Sequence, residues 1–249
     1  MSEALRYYEV VEALHTIQNP MSPQKLDRLI EYLAIADGDR VVDVGSGKGW
    51  LLRRIAERAK VRATGLELSS VFAGEARRAL AGAPLKGAVE IIEGPAADFP
   101  AADGSFGVAL CIGATFALGD LEGTLAWMAR VVPTGGRVAV GEPYARAPFP
   151  PAVRARWPQH DRTLAEFVDR FAEHGFAVTG VIASSDDDWD HYESPHWRAG
   201  LAWAKAHPDQ PNAASILART AEHRRIYLAE ERDVFGWAIV SAERLGEAP

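Results

Sequence analysis

The chain has 249 residues, with 27 Lys+Arg against 34 Asp+Glu, a formal charge of −7, and 48% apolar residues. That length fits one large domain or one domain with an insertion, and an acidic chain without clustered Lys and Arg lacks the footprint of a nucleic-acid binder. The single cysteine, Cys111, excludes an internal disulfide, no apolar run reaches about 18 residues, and Met1–Ala4 does not open a signal peptide; a soluble cytoplasmic protein without membrane partners is expected.

Residues 4–15 and 23–35 carry helical periodicity. In the second segment Leu26, Leu29, Ile30 and Leu33 share a face, Ser22 is placed to cap it and Pro23 to start it. From residue 40 strands and helices alternate. Strands are expected at 40–44, 61–66, 88–92, 106–112, 136–140, 176–183 and 234–242, and helices at 51–59, 71–80, 121–131 and 163–174. Such alternation implies parallel strands joined by crossover helices, hence a doubly wound α/β sheet. Two stretches interrupt it: the proline-rich residues 142–161, read as an ordered loop, and residues 185–231, read as a helical cap insertion. The last strand follows its predecessor without a simple helical crossover, as an antiparallel strand would. The whole chain, 1–249, reads as a single domain with an N-terminal helical lid at 1–36.

The strongest motif is Val41-Val42-Asp43-Val44-Gly45-Ser46-Gly47-Lys48-Gly49-Trp50. A buried strand ends in a glycine-rich turn that opens a helix. Glycines there tolerate positive φ and close approach of a ligand, and the helix start offers free N–H donors. Dinucleotide binders need a third glycine where this chain has Trp50. Glu67, with Leu68 beside it, ends the next strand about 20 residues on, where a carboxylate can accept hydrogen bonds from a ribose diol.

The Gly45-x-Gly47-x-Gly49 spacing resembles motif I of class I S-adenosylmethionine (SAM)-dependent methyltransferases of the bacterial small-molecule type. Three further segments resemble that family in order: Ile92–Pro100, Phe106–Gly119, and Pro133-Thr134-Gly135-Gly136. The resemblance implies a seven-stranded sheet of order 3-2-1-4-5-7-6 with the last strand antiparallel, and SAM as cofactor. It implies cofactor contacts from Asp43, Gly45, Ser46, Gly47, Glu67, Leu68, Ala97, Asp98, Cys111 and Gly113, with Asp98 at the adenine and Asp43 ordering the amino end. The fourth-strand segment lacks the Asn/Asp-Pro-Pro-Tyr/Phe of nucleobase amine methyltransferases.

In open α/β sheets the acceptor lies beyond the carboxyl ends of the strands. That places Thr115, Tyr144 and the cap residues Trp189, Tyr192 and Trp197 as substrate contacts. Displacement at a sulfonium needs alignment more than an acid–base set; where a base is used, Glu142 and His191 are the candidates, with His15 a further histidine. The Asp186–Asp188 run either faces a cation or caps a helix. No H-E-x-x-H, C-x-x-C or calcium-loop spacing is present, so no metal is expected. The predicted activity is methyl transfer from SAM to a nitrogen or oxygen of a small molecule. A non-catalytic SAM-binding module and a nicotinamide-dependent oxidoreductase are the alternatives.

Overall fold

A computed structural model describes residues 3–246; Met1 and Ser2, the first two of the four residues expected not to open a signal peptide, and the last three residues lie outside it. The chain runs α1 (Glu3–Val11), a 3-10 turn (Glu12–Leu14), α2 (Pro23–Tyr32), β1 (Arg40–Val44), α3 (Trp50–Arg58), β2 (Arg62–Glu67), α4 (Ser70–Ala81), β3 (Ala88–Glu93), β4 (Val108–Ile112) and α5 (Leu121–Val131). It continues through β5 (Arg137–Ala145), α6 (Pro151–Arg156), α7 (Leu164–Glu173), β6 (Phe176–Ala183), α8 (Asp186–Ala206), α9 (Ala213–Ile226), a π-helical turn (Tyr227–Glu231) and β7 (Phe235–Arg244).

The seven strands form one sheet of order β3-β2-β1-β4-β5-β7-β6. The first five pair in parallel, and β7 runs antiparallel to both β5 and β6. Alternation along each buried strand sends side chains to two cores. Val41, Leu110, Ala139 and Ile239 meet α2 and α3 on one face; Val42, Ala109, Cys111, Val140 and Val240 meet α5 and α7 on the other. Local signals act as expected: Ser22 accepts from Lys25 N and Pro23 starts α2, and Thr163 and Glu166 form a capping box at α7.

The expected loop at 142–161 is corrected by the structure. Strand β5 runs five residues past Val140, because β7 pairs along its whole length from Arg137↔Glu243 to Ala145↔Phe235. β4 stops opposite Gly141, so Pro143 falls where one side of the strand has no neighbour and its missing N–H is tolerated. Pro150 caps α6 and Pro151 starts it, and Pro158 starts a 3-10 turn, Pro158–His160. The cap insertion is an antiparallel pair, α8 and α9, in which Gly200 sits against Thr220; a Cβ there would lie 2.5 Å from Thr220 Oγ1. No helix among the described residues is long and apolar enough to cross a membrane.

Tyr144 does not face the acceptor side. It lies across the β5–β7 pair opposite Gly236, where a Cβ at position 236 would stand 2.3 Å from its ring. Gly236→Ala therefore overpacks this contact and should lower stability by about 1–3 kcal/mol, read as a reduced urea midpoint with an unchanged slope.

Candidate active site

A cavity of about 1110 Å³ opens over the carboxyl ends of β1, β2, β4 and β5. The glycine-rich turn forms its floor. Gly45, Gly47 and Gly49 have φ of 70°, 54° and 74°, a region that side chains avoid. A Cβ on Gly45 would also stand 2.2 Å from the Ala114 Cβ. The β1 turn and the segment after β4 thus touch backbone to side chain, and only glycine fits between them.

Glu67, at the end of β2, holds this turn. Its Oε2 accepts from Gly47 N at 2.9 Å and its Oε1 from Ser69 N at 2.7 Å. Burial raises its carboxyl above the ordinary value, and these backbone bonds offset part of that rise. Asp43 is 4% exposed, and its Oδ1 has no hydrogen-bond partner. Burial, with the Glu67 charge behind it, pushes the Asp43 carboxyl up to about 7. Ser46 Oγ is likewise buried without a partner. Both residues line the cavity.

The N-terminal segment closes one side. Gln18 Oε1 accepts from Lys48 N at 2.8 Å. The buried Lys48 ammonium donates to the carbonyls of Glu12 (2.9 Å) and Ala13 (3.4 Å) and pairs with Glu75 at 3.0 Å. The far side is formed by β5, the Pro158–His160 turn, α8 and the π-helical turn. Glu142, 3% exposed, is tied on both oxygens: Thr115 Oγ1 donates to Oε1 at 2.6 Å, and Arg162 donates to Oε2 at 3.1 Å. His160 Nδ1 also lies 3.1 Å from Oε2. Trp157, Trp189, Tyr227, Phe235 and Trp237 make an aromatic wall.

The structure brings together Asp43, Gly45, Ser46, Gly47, Glu67, Leu68, Gly113, Thr115, Glu142, Trp189 and Tyr192 around this cavity. It moves five others away from it. Cys111 points into the opposite core because its neighbours Leu110 and Ile112 take the other face of β4. Burial raises its thiol well above the ordinary value. Ala97 and Asp98 sit exposed on the outer side of the 3-10 turn Ala96–Asp98, whereas Gly94, Pro95 and Ala96 reach the cavity. On α8, residues 189, 192, 193 and 196 recur at helical spacing toward the cavity. His191 falls on the exposed face, and Trp197 turns aside against the Tyr227 ring, 6.1 Å between centroids. Tyr144 is the sixth displaced residue, for the reason given above.

The acidic run is structural. Ser185 and Asp188 form the capping box of α8, Asp186 pairs with Arg146, and Asp190 takes a two-pronged bond from Arg232 and a third from Tyr227. Gln18, Lys48, Trp157, His160, Arg162, His196 and Trp237 were not singled out in the sequence. His160 belongs to the stretch read as loop and Arg162 directly follows it, and Trp237 lies in the expected last strand without a motif around it.

A methyltransferase-domain profile matches residues 41–136, the segment from β1 to the entry of β5. The chain is 31% identical to a SAM-dependent methyltransferase of Geobacter sulfurreducens solved with S-adenosyl-L-homocysteine (SAH), covering 96% of this chain and 98% of that one, with a TM-score of 0.86. This chain belongs to the class I SAM-dependent methyltransferases. It is also 29% identical to the uncharacterized protein YjhP of Escherichia coli K12, over 94% of this chain and 96% of that protein; the YjhP crystal structure superposes with a TM-score of 0.89. A third relative is the 27-O-demethylrifamycin SV methyltransferase of Amycolatopsis mediterranei, 27% identical over 69% of this chain and 64% of that protein. The methyltransferase therefore uses SAM, and the nicotinamide and non-enzymatic alternatives fall away.

Lys48 ties the N-terminal segment of this methyltransferase to its glycine-rich turn. Lys48→Met should raise cleavage of residues 12–20 in limited proteolysis by roughly tenfold or more, since a charged hydrogen bond carries about 1.5–3 kcal/mol, with little change in the global unfolding midpoint.

Proposed function

We propose that this methyltransferase transfers the methyl group of SAM to a nitrogen or oxygen of a small molecule held in the cavity, by direct displacement. The observation that carries the reading is the unpartnered, buried Asp43 Oδ1 in the wall of a cavity floored by left-handed glycines. A buried carboxylate oxygen without a donor is costly, and an ammonium group removes that cost. Asp43 and Ser46 would therefore hold the amino-acid end of the cofactor. Glu67, with its remaining lone pairs, would hold the ribose hydroxyls beside Leu68, and Gly113 would flank the cofactor. Gly94–Ala96 would meet the adenine in place of Ala97 and Asp98.

The cofactor supplies an electrophilic methyl group on a sulfonium. Room for an acceptor beside it follows from the volume: pockets for one drug-sized ligand span roughly 300–1,000 Å³, and this one exceeds them. The aromatic wall offers an apolar face, and the Trp189 indole N–H, buried without a partner, offers a donor. Thr115 and Tyr192 complete that side. Two curated relatives, the rifamycin enzyme and an O-methyltransferase of Aspergillus nomiae, are named for methyl transfer to oxygen-bearing compounds, which supports the acceptor class. Because both Glu142 oxygens are engaged, its role is to position. The proton released from a hydroxyl or ammonium acceptor would go to His160, which lines the cavity and whose Nδ1 stands 3.1 Å from Glu142 Oε2 without being aligned as a hydrogen bond.

Two outcomes check this. Asp43 in the ligand-free protein keeps its proton up to about pH 7, so the stability linked to that proton is present at low pH and lost as pH rises from about 4 toward 7. An ammonium ligand reverses the balance. SAH should therefore bind more tightly at pH 7.5 than at 5.5, roughly in step with Asp43 ionisation. Asp43→Asn should flatten that dependence and weaken binding by about 1–3 kcal/mol in calorimetry. With an acceptor turned over from a panel of hydroxyls and amines, His160→Gln should cut kcat about 10²–10⁴-fold and leave SAH affinity unchanged in calorimetry. Glu142→Gln should cost less in kcat than His160→Gln; an equal or larger loss would make Glu142 itself the base.

A further inference from the structure

Two segments far apart in sequence meet beside the cavity. Glu12 lies on the 3-10 turn after α1, and His15 follows it; Tyr192, Glu193 and His196 lie on one face of α8. Glu12, His15, Glu193 and His196 are all buried. His15 Nε2 donates to the Tyr192 carbonyl at 2.8 Å, which turns Nδ1, as the lone-pair nitrogen, toward Glu12. That Nδ1 stands 3.1 Å from Glu12 Oε2, and neither atom has a hydrogen-bond partner. His196 Nε2 lies 2.9 Å from Glu12 Oε1, which also accepts from Tyr192 OH at 2.9 Å.

We propose that Glu12, His15 and His196 form a binding site for a first-row transition-metal dication of the zinc class, in the cavity wall, joining the N-terminal segment to α8. Their donor atoms all lie within 4.8 Å of one another. The 3.1 and 2.9 Å separations are close to those of adjacent ligands each about 2.0–2.1 Å from one ion. An imidazole bound at that distance has its ring centre roughly 3.2 Å from the ion. Two such rings 4.5 Å apart subtend close to a right angle there, which suits a two-histidine, one-carboxylate set with open positions. The imidazoles select a transition metal over calcium or magnesium, which take oxygen ligands.

The surroundings have the form that metal-binding histidines need. The Tyr192 carbonyl fixes the His15 tautomer, Tyr192 OH binds the ligating carboxylate, and Glu193 Oε2 stands 3.7 Å from His196 Nδ1 and 3.7 Å from His223 Nδ1. A dication balances the two buried carboxylates, Glu12 and Glu193. A lone proton shared between Glu12 and His196 satisfies Oε1 and leaves Oε2 facing the His15 lone pair. Glu12 and His196 line the cavity, so the open positions of the ion face the acceptor side. Spacing motifs could not disclose this site, because Glu12 and His196 lie 184 residues apart in sequence.

The test uses the full chain, stripped with chelator and titrated with Co²⁺ and Zn²⁺ without SAM. The expected result is one Co²⁺ per chain with visible d–d bands, displaced by Zn²⁺, and a thermal midpoint raised by Zn²⁺. His15→Gln and His196→Gln should each abolish the bands, and Glu193→Gln should weaken binding about 10–100-fold. The two histidines lie on different segments, so if one variant fails to fold, the other carries the test. Absence of visible bands with no thermal shift at millimolar Zn²⁺, or wild-type Co²⁺ spectra in a folded His15→Gln or His196→Gln protein, overturns the proposal. Neither readout involves methyl transfer, so that outcome leaves the proposed function standing.

Discussion

The Glu67 carboxylate is the contact on which the rest of the site depends. It ends β2, accepts from Gly47 N in the turn after β1, and accepts from Ser69 N at the start of α4. One side chain therefore sets the relation of two strands and two helices at the mouth of the sheet. Without it the Gly47 amide would need another acceptor, and a turn carrying three glycines in the left-handed region has little side-chain packing of its own to hold it. The neighbouring Asp43 is left without a donor in the same small volume. Two carboxylates so close repel, and the fold bears this because one is bonded to backbone and the other faces a cavity suited to a cation.

A second constraint is the way the cavity is closed. Residues before β1 supply Glu12, His15 and Gln18, while residues after β6 supply Tyr192, His196, Tyr227 and Trp237. The two groups touch each other through the buried cluster around Glu12. Burial by itself would raise that carboxyl; the bond and charge of His196, the His15 ring and the Tyr192 hydroxyl more than reverse it, and Glu12 is held below its ordinary range. The sheet presents a ledge of strand ends, and the surrounding helices turn that ledge into a container. The π-helical turn Tyr227–Glu231 belongs to this wall: its wider coil presents both Tyr227 and Glu231 to the cavity.

The sequence was most informative where local rules act alone. The strands at 40–44 and 176–183 and the helix at 121–131 agree to the residue with what periodicity indicates, and the sheet order follows from the family resemblance. Asp43, the glycines and Glu67 were legible because they sit in one continuous motif. Side-chain direction was less so. The family resemblance puts Cys111 at the cofactor and the strand-end rule puts Tyr144 at the acceptor, whereas strand alternation and the β5–β7 register turn them elsewhere. His191 was preferred among the cap histidines, and helical phase instead brings in His196. The Glu142–His160–Arg162 cluster was hidden because proline density masked the extension of β5, which only pairing with β7 makes possible.

The position of β7 has a bearing on how this protein comes into being. It follows β6 in sequence, yet it lies between β5 and β6 and carries Phe235 and Trp237 into the cavity wall. A nascent chain that has emerged only as far as residue 230 has a gap in the middle of its sheet and an open side to its binding chamber. Such late, long-range pairing slows folding and leaves strand edges exposed. The binding chamber is thus complete only once β7 has been made and has entered the sheet, and truncation before β7 removes part of the chamber wall along with the sheet's interior.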